Sequence, residues 1–501
     1  MRPGPATRQF VLLPARGVRA IEPMSSSAAQ SFLVSMGSVL PSTASRAFSV
    51  PEAPGIRLRV LDSIHEDGAK LVELSPDSAL AIRAHQPGLR LVPVVYYRPA
   101  VAPRFTVRLG PRSAAKPTVK IKLEVVSRKD GGPIAGAQVV AFTDFANLIG
   151  AQGTTNSKGQ VNLSLGAMTK KVARLYVYPP EKGFWGALRR NLTVSSGMRI
   201  SLRPVDLPYT DALRALCGHS PENAGAGVKV AVIDTGVDKA HPDLEVEGGT
   251  NTVVGEDPGD FDHNGDGHGT HVAGIVAARG KPPVGLKGLA PAVALRSYRV
   301  FGENSDQASN YAIMKAIDRA VADGCDLINM SLGGGETDDA TRAAIEDARS
   351  QGSLVIAAAG NDYRQPVSFP ASHSLAIAVS AMGRKGTFPG DSTQTGDVAS
   401  PYGRDRRNFL AAFSNIGPEI DLTGPGVGIL STVPGGYAAM DGTSMACPAV
   451  TGLAARLLWT RADILGMQRN QARSDAMGQV LLQAAVPLGF GPDYEGQGLP
   501  R

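Results

Sequence analysis

Three short stretches of this chain hold residues that together could carry out nucleophilic chemistry. The stretch DTGVD begins with Asp234, DGHGTHVAG contains His268, and GTSMA contains Ser444. A serine hydroxyl is a weak nucleophile until an imidazole takes its proton, and a carboxylate must orient that imidazole. All eight histidines precede Ser444, which excludes arrangements in which the base follows the serine. Taken alone, Ser444 fits a helix cap and Asp234 fits a turn, so the interpretation depends on the three stretches occurring together.

The elements that must position these residues are predicted by near-continuous apolar runs. The runs VKVAVID, DLINMSL, SLVIAAAGN and SLAIAVSAM do not alternate with polar residues, and helical stretches separate them. Strands buried on both faces need such runs, so we predict an α/β fold with a parallel sheet covered by helices. Asp234, Ser331 and Asn361 fall at the strand ends, which is the edge where sites form in such folds.

The motifs DTGVD, HGTHVAG and GTSMA, in the order Asp, His and Ser, resemble those of the subtilisin-like (subtilase) serine endopeptidases. The resemblance extends over residues 205–499 and includes INMSLGG and AAAGN in register. It implies a doubly wound parallel sheet and peptide-bond hydrolysis through an acyl-enzyme, with Asp234, His268 and Ser444 as the catalytic triad. It also implies that Asn361 donates to the oxyanion. A neutral amide at a strand end suits this role because it does not compete for the proton on the histidine.

The stretch SLGGG resembles the edge segment that pairs with the substrate backbone and forms one wall of the S1 pocket in that family. Its predicted substrate-binding residues are Ser331, Leu332, Gly333 and Gly334. Glycines there let an extended peptide approach and add as a strand. The matching wall segments contain no carboxylate, so we expect protein or peptide substrates and a broad, apolar-tolerant S1 preference.

Two functions other than hydrolysis remain, and only the first would use the same residues. An acyl transferase, such as a peptide ligase or macrocyclase, would need to protect the acyl-enzyme from water, and no lid insertion is visible beside Ser444. An inactive peptide-binding protein would need a broken triad, and the three stretches are intact. Hydrolysis is therefore the favoured reaction.

Several neighbours of the triad residues have non-catalytic interpretations. His271, one helical turn from His268, is predicted to be a packed structural histidine. Cys447, almost a turn beyond Ser444, is expected to pack into the helix–sheet interface as an inert thiol. Pro448 is expected to be tolerated near the start of a helix. Ala449 departs from the family, which often has histidine after that proline; activity is expected to survive.

No cofactor and no catalytic metal are expected. A pair of His268 and His271 lacks the glutamate of HExxH. The run DHNGDG, residues 262–267, resembles the start of an EF-hand loop, but the expected twelfth-position glutamate is Ala273. Structural calcium is common in the family, yet its ligands cannot be assigned from this sequence.

The N-terminal part, residues 1–100, carries the pattern β-α-β-β-α-β, with a helix over residues 25–36 and LRLVPVVYY as the closing strand. This pattern predicts a ferredoxin-like split βαβ unit. The unit resembles the inhibitory propeptide of subtilases, which implies a self-inhibited zymogen whose own N-terminal domain is a partner. Cleavage after Tyr97 would leave the following unit attached, whereas cleavage near Leu207 would release it.

The two remaining segments have different patterns. A Pro/Arg/Ala-rich stretch over residues 98–117 is predicted to be a linker. Residues 118–204 show a period of two with turn residues between the runs, which indicates a small antiparallel β-sandwich acting as a spacer or binding module. Residues 205–501 form the predicted peptidase domain.

Composition excludes some broader classes of protein. The net charge of +6 comes without a dense block of Lys and Arg, so nucleic-acid binding is not expected. No apolar run is long enough for a membrane span or a visible Sec signal peptide. This predicts a soluble chain but does not identify its cellular compartment. The three cysteines lie in no CxxC spacing. The chain is expected to be a monomer.

Overall fold

A computed structural model of the chain describes residues 7–19, 48–49, 57–65, 67–86, 88–108, 118–166, 170–180, 182–334 and 336–501. Three units follow one another in it. We call them the N-terminal sheet (strands between residues 8 and 93), the β-sandwich (residues 118–202) and the C-terminal unit (residues 205–501). The helix predicted over residues 25–36 lies outside the described residues.

The C-terminal unit is built on a nine-stranded sheet. In spatial order its strands are Val246–Asn251, Ala294–Arg299, Lys229–Asp234, Leu327–Met330, Leu354–Ala358, Ala376–Arg384, Asn408–Ala411 and Val398–Tyr402, and Leu422–Pro425 also pairs with Ala376–Arg384. Pairing is parallel except at Asn408–Ala411 and Val398–Tyr402. The predicted parallel sheet therefore has an antiparallel edge, because the short connection between these two strands lets the chain reverse but not cross over.

Side chains of each inner strand alternate between two apolar cores. In Lys229–Asp234, Val230 and Val232 face one core, whereas Ala231 and Ile233 face the other. Helices His268–Ala277 and Thr443–Leu458 cover the first core, and Asn310–Ala322 and Asp339–Ser350 cover the second. Burial on both faces explains the unbroken apolar runs.

Shorter elements complete the C-terminal unit. Its further helices are Ala212–Cys217, Ala462–Leu465, Gln471–Gln483 and Pro492–Glu495, with a 3₁₀ turn at Thr393–Gly396. Outside the large sheet, Ile429–Val433 pairs with Gly436–Met440, and Ala485–Val486 pairs with Leu499–Pro500. Two short strands, Ala308–Ser309 and Leu332–Gly333, each pair with residues 96–99. Within the described ranges, no helix combines the length and apolar character needed to span a bilayer.

The N-terminal sheet is antiparallel and carries a helix, Pro76–His85, on one face. Its strands, in spatial order, are Phe48–Ser49, Arg57–Ser63, Lys70–Leu74, Arg8–Pro14 and Leu89–Pro93. The opposite face packs on the C-terminal unit, where Val11 and Leu13 join the core under helices Asn310–Ala322 and Asp339–Ser350.

The stretch LRLVPVVYY forms two strands where one was predicted. The first is Leu89–Pro93, and the second is Tyr96–Pro99, which leaves the N-terminal sheet and pairs with the C-terminal unit. Pro93 has no N–H to continue a ladder, and the carbonyls of Pro93 and Val95 accept from Asn310 at 3.0 and 2.9 Å. We call Tyr96–Pro99 the cleft strand.

The β-sandwich consists of two sheets with an apolar core between them. One sheet has the order Gln160–Gly166, Thr118–Ser127, Met198–Leu202; the other has the order Ala187–Thr193, Lys171–Tyr178, Gln138–Asp144, Ile149–Thr154. Met198–Leu202 is parallel to Thr118–Ser127, so the prediction of a wholly antiparallel sandwich is wrong for this pair. The two are the first and last strands of the unit, and the long connection lets the chain return in the same direction.

The four-stranded sheet is apolar on its outer face as well. Phe142, Tyr176 and Leu188 form a second cluster there, together with Phe105 and Val107. A sheet that faced water on this side would alternate with polar residues. The outer face is therefore covered by residues 101–108 and by the C-terminal unit.

Candidate active site

Asp234 and His268 form a buried pair. Asp234 ends the strand Lys229–Asp234, and His268 opens the helix His268–Ala277. His268 Nδ1 lies 2.7 Å from Asp234 Oδ1, which also accepts the backbone N–H of Thr235 at 2.7 Å. The contact keeps the proton on Nδ1 and leaves Nε2 free to act as an acceptor.

The electrostatics of His268 result from two opposing effects. Burial disfavours the imidazolium, but the charge of Asp234 and its hydrogen bond together outweigh burial and raise the pKa of His268 above its usual value. No described residue offers a hydrogen-bond partner to His268 Nε2. This nitrogen can therefore take a proton from a nearby hydroxyl.

Ser444 lies in the first turn of the helix Thr443–Leu458, as its sequence context predicted. Its hydroxyl donates to the carbonyl of Ser331 at 2.9 Å and makes no hydrogen bond to His268 Nε2 in this structure. A side chain at Gly442 would come within 2.7 Å of the carbonyl oxygen of Ala100. Glycine there leaves room for a peptide carbonyl beside the serine.

A peptide carbonyl of the chain itself occupies the position between Ser444 and Asn361. The oxygen of Ala100 accepts the backbone N–H of Ser444 at 3.1 Å and a side-chain N–H of Asn361. The amide of Asn361 is oriented by the N–H of Thr443, which donates to Asn361 Oδ1 at 2.8 Å. Two fixed donors on one carbonyl oxygen are what an oxyanion hole supplies.

The cleft strand carries Ala100 into this position. It is paired on one edge with Leu332–Gly333 and on the other with Ala308–Ser309, and the N–H of Ala100 donates to the carbonyl of Ser331 at 3.0 Å. The predicted substrate edge thus contacts an extended peptide, and Gly334 follows it with a φ of 88°, a conformation that favours glycine. The second edge, Ala308–Ser309, was not predicted because two residues are too short for a periodic pattern.

Ser331 has a further role that sequence reasoning missed. Pro448 is the sixth residue of the helix Thr443–Leu458 and has no N–H to donate to the carbonyl of Ser444, four residues earlier. The hydroxyl of Ser331 donates to that carbonyl at 3.0 Å instead. Pro448 is tolerated, as expected, but its position near the start of the helix is not a sufficient reason, since a side chain from another strand replaces the missing bond.

Asn329 links this arrangement to the helix that carries the serine. Its amide donates to Ser331 Oγ at 2.9 Å, and its oxygen accepts from Cys447 Sγ at 3.2 Å and Thr451 Oγ1 at 2.9 Å. Burial raises the pKa of the Cys447 thiol, so this cysteine is an inert part of the helix–sheet interface. Ala449 is also fully buried in the core next to it.

The remaining candidates from the sequence make hydrogen bonds that hold the fold together. His271 Nε2 contacts the carbonyls of Ile429 and Ala438 at 3.0 and 3.3 Å, and burial lowers the pKa of His271 to about 3, helped by the charge of His268. The loop over residues 262–267 is folded by its own hydrogen bonds, such as Asp266 N to Asn264 Oδ1 at 3.1 Å. In the described part of the chain, no group of three His, Cys, Asp or Glu side chains is placed to hold a metal.

A carboxylate–histidine pair, a serine at a helix N-terminus and two donors on one peptide carbonyl are the parts that a serine hydrolase uses. Comparison with known proteins specifies the class further. Residues 225–499 match the model of the subtilase family. The chain belongs to the subtilase family of serine endopeptidases.

Individual relatives agree with this assignment. Subtilisin NAT of Bacillus subtilis subsp. natto is 38% identical over 270 residues, which cover 52% of this chain and 64% of that protein. Subtilisin of Bacillus pumilus is 38% identical over 270 residues and 88% of its length. Subtilisin Savinase of Lederbergia lenta is 37% identical over 268 residues and 89% of its length.

Proposed function

We propose that this chain hydrolyses peptide bonds as a serine endopeptidase, with Asp234, His268 and Ser444 as its triad and Asn361 in its oxyanion hole. The observation that carries the proposal is the Ala100 carbonyl, which accepts from both Ser444 N and Asn361 Nδ2. A serine and two donors thus meet at one extended peptide, and the buried base His268 lines the same cavity as the next residues of that peptide, Val101 and Ala102. Acyl transfer needs these parts.

The proposed reaction follows from these positions. Ser444 Oγ rotates from the carbonyl of Ser331, gives its proton to His268 Nε2 and attacks the peptide carbonyl carbon. The resulting oxyanion is stabilised by the N–H groups of Ser444 and Asn361. His268 then protonates the departing amine, and water, deprotonated by the same imidazole, hydrolyses the acyl-enzyme. Asp234 orients His268 and stabilises its charged form.

We further propose that the chain is made as a self-inhibited zymogen. The N-terminal sheet is anchored on the C-terminal unit through Arg19, which pairs with Asp318 at 2.8 Å, and through Val18 N, which donates to Asp347 Oδ2 at 2.7 Å. When its four longer strands are numbered in chain order, they lie in the spatial order 2-3-1-4. This order supports the ferredoxin-like interpretation. The cleft strand that follows it fills the substrate edge.

The geometry favours the bond between Ala100 and Val101 as the site of self-cleavage, because the carbonyl of Ala100 is the one bound by the two donors. Cleavage there would release the N-terminal sheet and leave the β-sandwich attached. Ala100 would be the residue before the scissile bond, and a small apolar side chain at this position supports the broad, apolar-tolerant S1 preference.

The test is the intact mass of freshly purified protein after treatment with a fluorophosphonate, with Ser444→Ala alongside. We expect the wild type to gain one adduct and to begin at Val101, and the variant to stay full-length and unlabelled. A wild type that begins elsewhere would contradict the proposed cleavage site. A chain that stays unlabelled even after brief trypsin treatment, which removes an inhibitory segment, would contradict the proposed activity.

A further inference from the structure

We propose that the β-sandwich supplies part of the substrate site, namely a subsite for an aromatic side chain five residues after the scissile bond. This inference rests on the proposed function and on cleavage between Ala100 and Val101. The subsite lies between the β-sandwich and the C-terminal unit, and Phe105 of the chain itself fills it in this structure. Its ligand is an extended peptide with an aromatic residue at the fifth position after the cleaved bond.

The path of residues 101–108 leads from the active site to the β-sandwich. Ala102 N donates to the carbonyl of Asp441 at 2.9 Å, close to Ser444. Further on, Phe105 N donates to the Tyr178 hydroxyl at 3.0 Å, and Arg108 N donates to the carbonyl of Leu148 at 2.9 Å. A substrate that extends beyond the scissile bond would follow the same path, because the cleft strand before the bond already has the extended form of a bound peptide.

Aromatic side chains of both units surround Phe105. Its ring centroid lies 5.1 Å from that of Phe145 and 5.1 Å from that of Tyr176, both of the β-sandwich, and 6.1 Å from that of Tyr363 of the C-terminal unit. These separations are those of favourable aromatic pairs. Phe142 lies fully buried beneath, with its ring 5.3 Å from that of Phe145. Both units are therefore needed to form the subsite.

Phe105 and Tyr176 also line a cavity that opens beside the base. The cavity is lined by His268, Asp441, Phe105, Tyr176 and Tyr178, among others. Substrate residues after the scissile bond therefore pass between the two units. The β-sandwich forms one wall of the cleft.

The β-sandwich is firmly attached to the C-terminal unit. Trp185 is 2% exposed and lies within the core of the C-terminal unit, 5.5 Å from the ring of Tyr209. Asp391 pairs with Arg128 and Arg189 of the β-sandwich at 2.6 and 3.1 Å. Because this interface includes a buried tryptophan, the wall and its subsite stay in place after self-cleavage. Phe105 stays with them, on the new N-terminal segment.

The test compares two processed enzymes, wild type and Phe105→Ala, on two internally quenched peptides. The peptides share every residue except the fifth after the scissile bond, which is Phe in one and Ala in the other. In the wild type Phe105 competes for the subsite, so we expect kcat/KM for the two peptides to agree within about twofold. In Phe105→Ala the subsite is free, and we expect the Phe peptide to be cleaved about threefold to tenfold faster than the Ala peptide.

Three controls separate this inference from the proposed function. A peptide p-nitroanilide, which has no residues after the scissile bond, should be hydrolysed equally by both enzymes and so reports intact folding. Thr106→Ala, with an exposed side chain on the same segment, should behave as the wild type. Tyr363→Ala combined with Phe105→Ala should lose the preference for Phe.

Equal rates for the two peptides in Phe105→Ala would overturn the subsite while hydrolysis of the anilide still upholds the proposed function. Absence of anilide hydrolysis in both processed enzymes would instead refute the proposed function.

Discussion

The substitution Ser331→Ala should destabilise the fold through the carbonyl of Ser444 and not through the substrate edge. Pro448 leaves that carbonyl without a helical donor, and the Ser331 hydroxyl at 3.0 Å takes its place. Removing the hydroxyl leaves a buried acceptor unsatisfied, which costs about 1 to 3 kcal/mol. Asn329 Nδ2 also loses its acceptor at 2.9 Å, so the single substitution mixes two effects.

The substitution Pro448→Ala separates these effects. It restores an N–H that can donate to the carbonyl of Ser444 within the helix. With alanine at position 448, Ser331→Ala should lower the free energy of unfolding by about 1 to 2 kcal/mol less than it does with Pro448, because the Ser444 carbonyl keeps a donor. The lost hydrogen bond of Asn329 costs the same in both backgrounds. The parent chain, the two single variants and the double variant all carry Ser444→Ala, which keeps the backbone carbonyl and prevents autolysis.

The assay is denaturant unfolding followed by tryptophan fluorescence. Both tryptophans report on the C-terminal unit, since Trp185 lies in its core and Trp459 lies at the end of the helix that carries Ser444. The coupling energy between positions 331 and 448 is taken from the four midpoints and slopes. If Ser331→Ala cost the same with Pro448 and with alanine there, the carbonyl would have another donor and the reasoning would be refuted.

Two further predictions concern the base and the unit interface. Asp234→Asn removes the charge that raises the pKa of His268; because the imidazole must be neutral to accept a proton, the acidic limb of kcat/KM should move to lower pH, and the maximum should fall about a thousandfold or more. A limb that stays in place or moves to higher pH would contradict the role of Asp234. Trp185→Ala should destabilise the C-terminal unit by about 3 to 5 kcal/mol, although Trp185 belongs to the β-sandwich; an unchanged unfolding midpoint from Trp459 fluorescence would show that the two units unfold independently.

The elements around the candidate site were predictable because their physical requirements leave a strong pattern. Strands buried on both faces must be apolar throughout, so the runs before Asp234, Ser331 and Asn361 stand out. The carboxyl ends of such strands meet at one edge. The contact of His268 with Asp234 at 2.7 Å is consistent with the spacing of their motifs.

Contacts between distant segments were not predictable from local pattern. The bond from Ser331 Oγ to the carbonyl of Ser444 joins residues 113 positions apart, and no periodicity encodes it. The strand Ala187–Thr193 carries no clear strand pattern in the sequence, because Arg189 and Arg190 interrupt its apolar residues. Both arginines donate to backbone carbonyls of the C-terminal unit, those of Asp391 and Thr395. Contacts with another unit therefore explain why arginines occur in this strand.

The position of the cleft strand within the chain has a consequence for how inhibition depends on concentration. While the strand is continuous with the C-terminal unit through Ala100, the cleft is filled by a tethered segment whose effective concentration is roughly millimolar, and dilution cannot empty it. Once the bond after Ala100 is hydrolysed, as proposed, the N-terminal sheet is a separate molecule and its occupancy follows mass action. The same contacts would then inhibit the cleaved enzyme at high protein concentration and release active enzyme on dilution.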